Sequence, residues 1–242
     1  MMLGRLYGIG LGPGDPELMT LKAVRCLQAA PVVAYFAKRG RRGHARAIAD
    51  HAMPAHCEEV ALEYPVTTEI ALEDPAYAAS LAPFYTEAAA TLARHLAAGR
   101  DVALLCEGDP LFFGSFMHLY IRLRDDFPVT IVPGVSGMSG CWSAAGLPMS
   151  WGDDVVTILP GTLPAEVLTA KLRASDAAVI MKIGTNFVKI RAAVEAAGLL
   201  TDAVYVERGT MEGERVMPLA DKRDGVAPYF SVILLPGHGR RP

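Results

Sequence analysis

Along the first half of the chain, short apolar runs bounded by glycine, proline or charged residues alternate with longer stretches whose apolar positions recur every three or four residues. The runs read as buried strands and the periodic stretches as amphipathic helices packed on them. Residues 5–12, "RLYGIGLG", make a first strand. Behind it Leu18, Leu21, Val24 and Leu27 repeat at helical spacing, with Asp15 placed to cap the helix and Pro16 suited to its first position. "PVVAYFA" (31–37) is a second strand, "HARAIADHAM" (44–53) a helix and "EEVALEYPV" (58–66) a third strand. A polar, proline-containing segment follows, and the alanine-rich stretch from Ala76 to Ala98 favours a long helix. "DVALLCEGDPLFFGSFMHLYIRL" (101–123) repeats strand, turn and helix, and "VTIVPGVSGMSGCWSAAGLP" (129–148) adds a strand, a Pro-Gly break and a helix of small residues. Strict alternation of strand and helix predicts a largely parallel sheet.

Past that break the pattern changes. "DDVVTILPG", "SDAAVIMKIG", "DAVYVERGT", "ERVMPLA" and "YFSVILLPG" read as five strands, with helices near 164–174 and 185–198. The later strands follow one another without long helical crossovers, which predicts a mixed sheet with antiparallel pairs near its end. The expected fold class is therefore α/β in two domains. Residues 1–133 form an N-terminal domain on a largely parallel sheet, and residues 134–242 a C-terminal domain on a mixed one.

Composition narrows the function classes. At 242 residues, 52% hydrophobic and 20% charged, the chain is long enough for two modest cores. No apolar run reaches the ~18–20 residues of a membrane span, and the N-terminus lacks a secretory pattern, so a cytoplasmic protein without a membrane partner is expected. A net charge of −3 gives no support for a nucleic-acid partner. Cys26, Cys57, Cys106 and Cys141 are scattered with no C-x-x-C pair, which argues for core thiols and against a zinc site or disulfides; no metal is expected.

The chemistry concentrates in "GIGLGPGDPELMT" (8–20), a glycine-rich turn at the end of a strand. A dinucleotide fingerprint would need a third glycine where Pro13 or Asp15 stands, and a carboxylate closing the second strand, which is absent. A P-loop would need Gly-Lys-Ser/Thr, which is also absent. The turn suits a nucleoside without a phosphate chain, or serves only as a tight strand-to-helix connection. Gly108-Asp109-Pro110 repeats the device after the fourth strand. Two such turns at the carboxyl ends of neighbouring strands would set two capped helix N-termini around the crevice where open parallel sheets bind ligands. Asp109 is open to two readings, a helix cap and a polar contact with a ligand.

"YGIGLGPGDPELMTLKA", "LLCEGDPLFFGSFMHLYIRL", "VPGVSG" and "VYVERGTMEGERV" stand in the order and spacing of the tetrapyrrole methylases, and the chain resembles that family over essentially its whole length. The resemblance implies S-adenosyl-L-methionine as cofactor, S-adenosyl-L-homocysteine as its product, and a cofactor cleft between two α/β domains. Carried over by position, it places Pro13 in the first cofactor turn and Glu107, Gly108, Asp109 and Phe112 in the second. It adds Ser136 and Gly137 at the boundary, and Met181 and Gly209 in the second domain. "CEGDPLFFGSFMHLY" looks most like the members that methylate precorrin-2 at C20, giving precorrin-3A in cobalamin synthesis. Family members are usually homodimers.

Such a substrate is a reduced tetrapyrrole ringed by carboxylates, so its trough should offer arginines. "KRGRRGHAR" (38–46) is the densest basic run, and Arg39, Arg41, Arg42 and Arg46 are the candidate substrate contacts, or else a solvated loop. Glu107, His118 and Tyr120 lie near the second turn and are candidates for a weak catalytic base. Three other readings stay open: a cobalt-containing substrate (cobalt-factor II), a macromolecular substrate, and a non-catalytic sensor or carrier of the cofactor or a tetrapyrrole.

Overall fold

The structure is a computed structural model and describes residues 2–65 and 75–239. By contacts the chain divides into two units, Met1–Ser136 and Gly137–Pro242. Ser136, expected in the second domain, belongs to the first unit. The polar segment before the long helix lies largely outside the described residues.

The first unit runs β1 (Leu6–Gly10), α1 (Leu21–Gln28), β2 (Val32–Lys38), α2 (His44–Ile48), β3 (Glu58–Tyr64), α3 (Pro75–Ala97), β4 (Val102–Cys106), α4 (Phe116–Leu123) and β5 (Val129–Val132). Its sheet has the order β3-β2-β4-β1-β5, every pair parallel. β4, "VALLC", is buried throughout because it pairs on both edges and is covered on both faces. One face packs Leu6, Val102 and Leu104 against Leu92 and Leu96 of α3 and Phe116 and Leu119 of α4. The other packs Ile9, Val33 and Leu105 against Ala23 and Leu27 of α1 and Ala45 and Ile48 of α2.

The opening helix starts later than its sequence signals suggest. Asp15 caps only a single 3-10 turn, Pro16–Leu18, its Oδ1 accepting the Glu17 N–H at 2.8 Å. α1 begins behind Thr20, whose hydroxyl accepts the Ala23 N–H at 3.1 Å, and Leu21, expected on the buried face, is 90% exposed. The bond from the Met19 N–H to the Pro16 carbonyl closes the first turn before a second can propagate.

The second unit contains α5 (Gly137–Ala144), β6 (Val156–Pro160), α6 (Ala165–Arg173), β7 (Ala177–Met181), α7 (Phe187–Ala196), β8 (Val204–Glu207), β9 (Arg215–Pro218) and β10 (Ser231–Leu235). Its order is β6-β7-β10-β8-β9, with β6 parallel to β7 and the remaining pairs antiparallel. β6, β7 and β8 therefore end at the same edge. Leu159, Ile180 and Tyr205 pack under α6 and α7, while Val179, Val206 and Leu234 meet Cys141 of α5. Cys106 and Cys141 are core thiols; Cys26 and Cys57 are half-buried. Among the described residues no helix is long and apolar enough to cross a membrane.

Candidate functional site

In the first unit the carboxyl ends of three adjacent strands, β4, β1 and β5, are drawn together backbone to backbone. The Leu11 N–H donates to the Cys106 carbonyl at 2.9 Å, and Gly12 and Gly108 exchange both of their hydrogen bonds, at 3.4 and 2.8 Å. The two glycine turns found in the sequence are thus bonded to each other. Gly10 and Gly134 permit the closure: a Cβ on Gly10 would lie 2.7 Å from the Gly108 carbonyl oxygen, and one on Gly134 would collide with that same carbonyl. The result is a stretch of surface built from main chain rather than side chains.

Asp109 holds this arrangement and is not a helix cap. Its Oδ1 accepts the Leu111 N–H at 2.9 Å, and its Oδ2 accepts the Gly134 N–H at 3.2 Å, tying the loop after β4 to the loop after β5. α4 starts only at Phe116, behind Ser115, which makes no side-chain cap bond. Neither Gly-Asp-Pro caps an α-helix, so the two capped helix N-termini expected there are replaced by two Asx turns, each aspartate bonding the amide two residues on. Pro13 is buried in the first turn. Phe112 is half-buried and packs on Phe113, which takes φ +54° and is 42% exposed.

Glu107 follows β4 directly and bonds the N-terminal end of α2, its Oε1 accepting the Ala45 N–H at 3.2 Å. It keeps contact with solvent, yet the protein around it is dense enough for desolvation to raise its carboxyl above the ordinary value, against the lowering effects of His44 and the Ala45 N–H. His118 and Tyr120 face elsewhere. The His118 ring stacks on Tyr85 of α3 at 4.2 Å, where desolvation and then Arg122 lower its pKa. Tyr120 stacks on Phe116 at 5.8 Å along the edge of the core.

The basic run separates into two kinds of arginine. Arg46, its side chain only 11% exposed, bonds both oxygens of Glu59 at 2.7 and 2.8 Å and Asp50 at 2.6 Å. Arg42 also pairs with Asp50. Arg46 lowers the carboxyl pKa of Glu59 and, together with Arg42, that of Asp50. These two guanidiniums are engaged by the chain's own carboxylates. Arg39 is 90% exposed with one loose approach to Glu63 at 4.0 Å, and Arg41 is exposed on the same loop.

In the second unit the shared edge of β7 and β8 carries the remaining residues. Met181 ends β7, half-buried against the cluster of Cys141 and Val206, and Lys182 follows it at φ +56°. After β8 come Arg208 at φ +52°, Gly209, and Thr210 at φ +69°. Gly209 is required by packing, since a Cβ there would lie 2.9 Å from Cys141 Sγ. Burial of Cys141 pushes its thiol up to about 11. Among the described residues the Thr210 hydroxyl is buried and finds no hydrogen-bond partner. Gly137, at the start of α5, has open space where a side chain would stand. Of the four non-glycine residues with positive φ among the described residues, Lys182, Arg208 and Thr210 lie just past the carboxyl ends of β7 and β8, and Phe113 lies in the loop between β4 and α4. Strained backbone of this kind concentrates at functional sites.

The sequence pattern of the Tetrapyrrole (Corrin/Porphyrin) Methylases matches residues 5–221. This chain belongs to that family. It is 54% identical over 240 residues to a precorrin-2 C(20)-methyltransferase from Sinorhizobium sp, covering 99% of this chain and 98% of the relative. It is 28% identical over 239 residues to a cobalt-precorrin-2 C(20)-methyltransferase from Salmonella typhimurium strain LT2, covering 97% of each. Among solved structures, the uroporphyrin-III C-methyltransferase of Thermus thermophilus in complex with S-adenosylhomocysteine superposes with a TM-score of 0.65 at 27% identity, covering 96% of this chain and 92% of that one.

Two features of this methylase escape its sequence pattern. The Arg46–Glu59 pair joins α2 to β3 with no local spacing to show it, whereas the Arg46–Asp50 pair shows as an i,i+4 spacing. Thr210 stands in plain view in "ERGT", but its left-handed backbone and unpaired hydroxyl have no sequence signature.

Proposed function

We propose that this methylase transfers a methyl group from S-adenosylmethionine to C20 of precorrin-2, giving precorrin-3A in cobalamin synthesis. The observation that carries the reading is the 54% identity to a protein of that activity over nearly the whole of both chains. The residues present suit the cofactor. The glycine turns have no lysine of the P-loop kind for a phosphate chain, and a buried hydroxyl at Thr210 waits for a polar partner. Pro13, Gly108 and Phe112 in the first unit, and Met181 and Gly209 in the second, are its proposed contacts. Ser136 and Gly137 add to these on the family resemblance.

S-adenosylmethionine, when bound, supplies a methyl on a positively charged sulfur. The protein's task is to hold the nucleophilic carbon in line with it, and positioning of this kind contributes on the order of 7–11 kcal/mol. Asp109 serves by keeping the loops after β4 and β5 in register. Arg39 and Arg41, exposed beyond β2, are the proposed partners of the substrate's carboxylates. Glu107 is the proposed acceptor of the proton lost from C20, favoured over His118 and Tyr120 because those rings are occupied in packing. A homodimer and a cytoplasmic location are proposed from the family resemblance.

A cobalt-containing substrate is the second reading, favoured by the Salmonella relative. Incubation with metal-free precorrin-2 and S-adenosylmethionine, followed by mass spectrometry and carbon-13 NMR, decides the matter. One labelled methyl at C20 is expected. Turnover confined to the cobalt-loaded substrate would overturn the metal-free assignment.

A further inference from the structure

We propose that Thr210 is a cofactor-binding residue whose side-chain hydroxyl hydrogen-bonds a polar group of the adenosyl moiety. The inference rests on the S-adenosylmethionine reading above and adds a side chain to it.

Two independent costs meet at this residue. Its Oγ1 is buried and finds no hydrogen-bond partner among the described residues, although a hydroxyl withdrawn from water is destabilising unless it is paired. Its backbone takes φ +69°, a region in which a β-branched residue is an outlier and where glycine or asparagine fits more easily. The surroundings stop it from relaxing. The Thr210 N–H is held by Glu214 Oε2 at 2.6 Å, the Met211 N–H by the Arg208 carbonyl at 2.8 Å, and the Glu214 N–H by the Met211 carbonyl at 3.1 Å. On the other side Gly209 lies against Cys141 so closely that no Cβ fits.

The loop is therefore built rigidly around a buried hydroxyl that finds no partner among the described residues. The placement says what the hydroxyl is for. Thr210 stands at the carboxyl edge of β8, next to Gly209 and on the same edge as Met181, the two second-unit positions proposed to contact the cofactor. A hydroxyl both donates and accepts, so it can pair with the ring nitrogens, the exocyclic amine or the ribose oxygens of an adenosyl group. A ligand that brings the missing partner removes the desolvation penalty only when bound, which makes the free protein's cost a source of affinity and selectivity.

Isothermal titration of S-adenosylhomocysteine into the wild type, Thr210→Val and Thr210→Ser tests this, with thermal melts of the ligand-free proteins alongside. Valine keeps the branched shape and removes the hydroxyl; serine keeps the hydroxyl. The expected result is affinity about tenfold weaker in Thr210→Val and near wild type in Thr210→Ser. The ligand-free Thr210→Val protein should melt at or above the wild-type temperature, because an unpaired polar atom has been removed. Wild-type affinity in Thr210→Val would overturn the inference alone. So would a lower melting temperature in that ligand-free variant, which would mean that the hydroxyl is already satisfied. Absence of binding by the wild type would overturn the cofactor reading and this inference with it.

Discussion

Glu107 holds its proton more firmly than an ordinary carboxyl because desolvation outweighs the help of His44 and the Ala45 N–H. Its pKa is raised on folding, so the folded chain binds more protons than the unfolded one above the ordinary value near 4.5, and stability falls as pH rises through the folded value. Glu107→Gln keeps an oxygen for the Ala45 N–H and removes the charge. It should melt higher than wild type above neutral pH and equally near pH 4, while kcat falls about 100-fold if Glu107 takes the proton. Melts across pH and steady-state rates check both halves. Glu59 has the opposite sign: the Arg46 bond lowers its pKa, so its contribution is full above the unfolded value and fades as pH falls through the folded one. Arg46→Ala should cost about 2 kcal/mol at pH 7, with the loss shrinking in acid. Arg39→Ala with Arg41→Ala should leave stability unchanged and raise the tetrapyrrole KM several-fold. A KM unmoved by the double substitution would remove these arginines from the substrate site.

At the level of elements, Thr20→Ala should destabilise the protein by about 1 kcal/mol and Asp15→Ala by less, since Thr20 and not Asp15 caps α1. Denaturant titration separates the two. The ambiguity behind this was real in the sequence. Asp before Pro signals a helix start and an Asx turn equally well, and the difference is made four and five residues later, at Met19 and Thr20, by which amide finds which acceptor. The same happened at Asp109, where the loop runs on through a left-handed Phe113 before α4 begins. Strands were far more legible: "PVVAYFA" matches β2 to within one residue at each end and "SDAAVIMKIG" encloses β7, because continuous burial imposes a continuous apolar run. Candidate residues were legible as types, yet their tasks were not. Nothing local in "HARAIADH" tells that Arg46 will meet Glu59 across the β2–β3 connection.

At the scale of the molecule, the chain carries a net charge of −3 and its proposed substrate is anionic as well, so attraction must come from a few exposed arginines. Exposed charges are screened over about 8 Å at physiological salt. Raising salt from about 0.05 to about 0.5 M should therefore raise the tetrapyrrole KM several-fold and leave S-adenosylhomocysteine affinity nearly unchanged, which kinetics and calorimetry can compare. The bonds that join Gly12 to Gly108 also bear on the order in which the molecule comes into being. The first turn leaves the ribosome early, but its partners, Gly108 and then Gly134, are made only after β4 and β5. Through roughly the first half of its synthesis the chain carries "GIGLGPGDP" as an unfinished half, and the paired turns close only when both later glycines have been made.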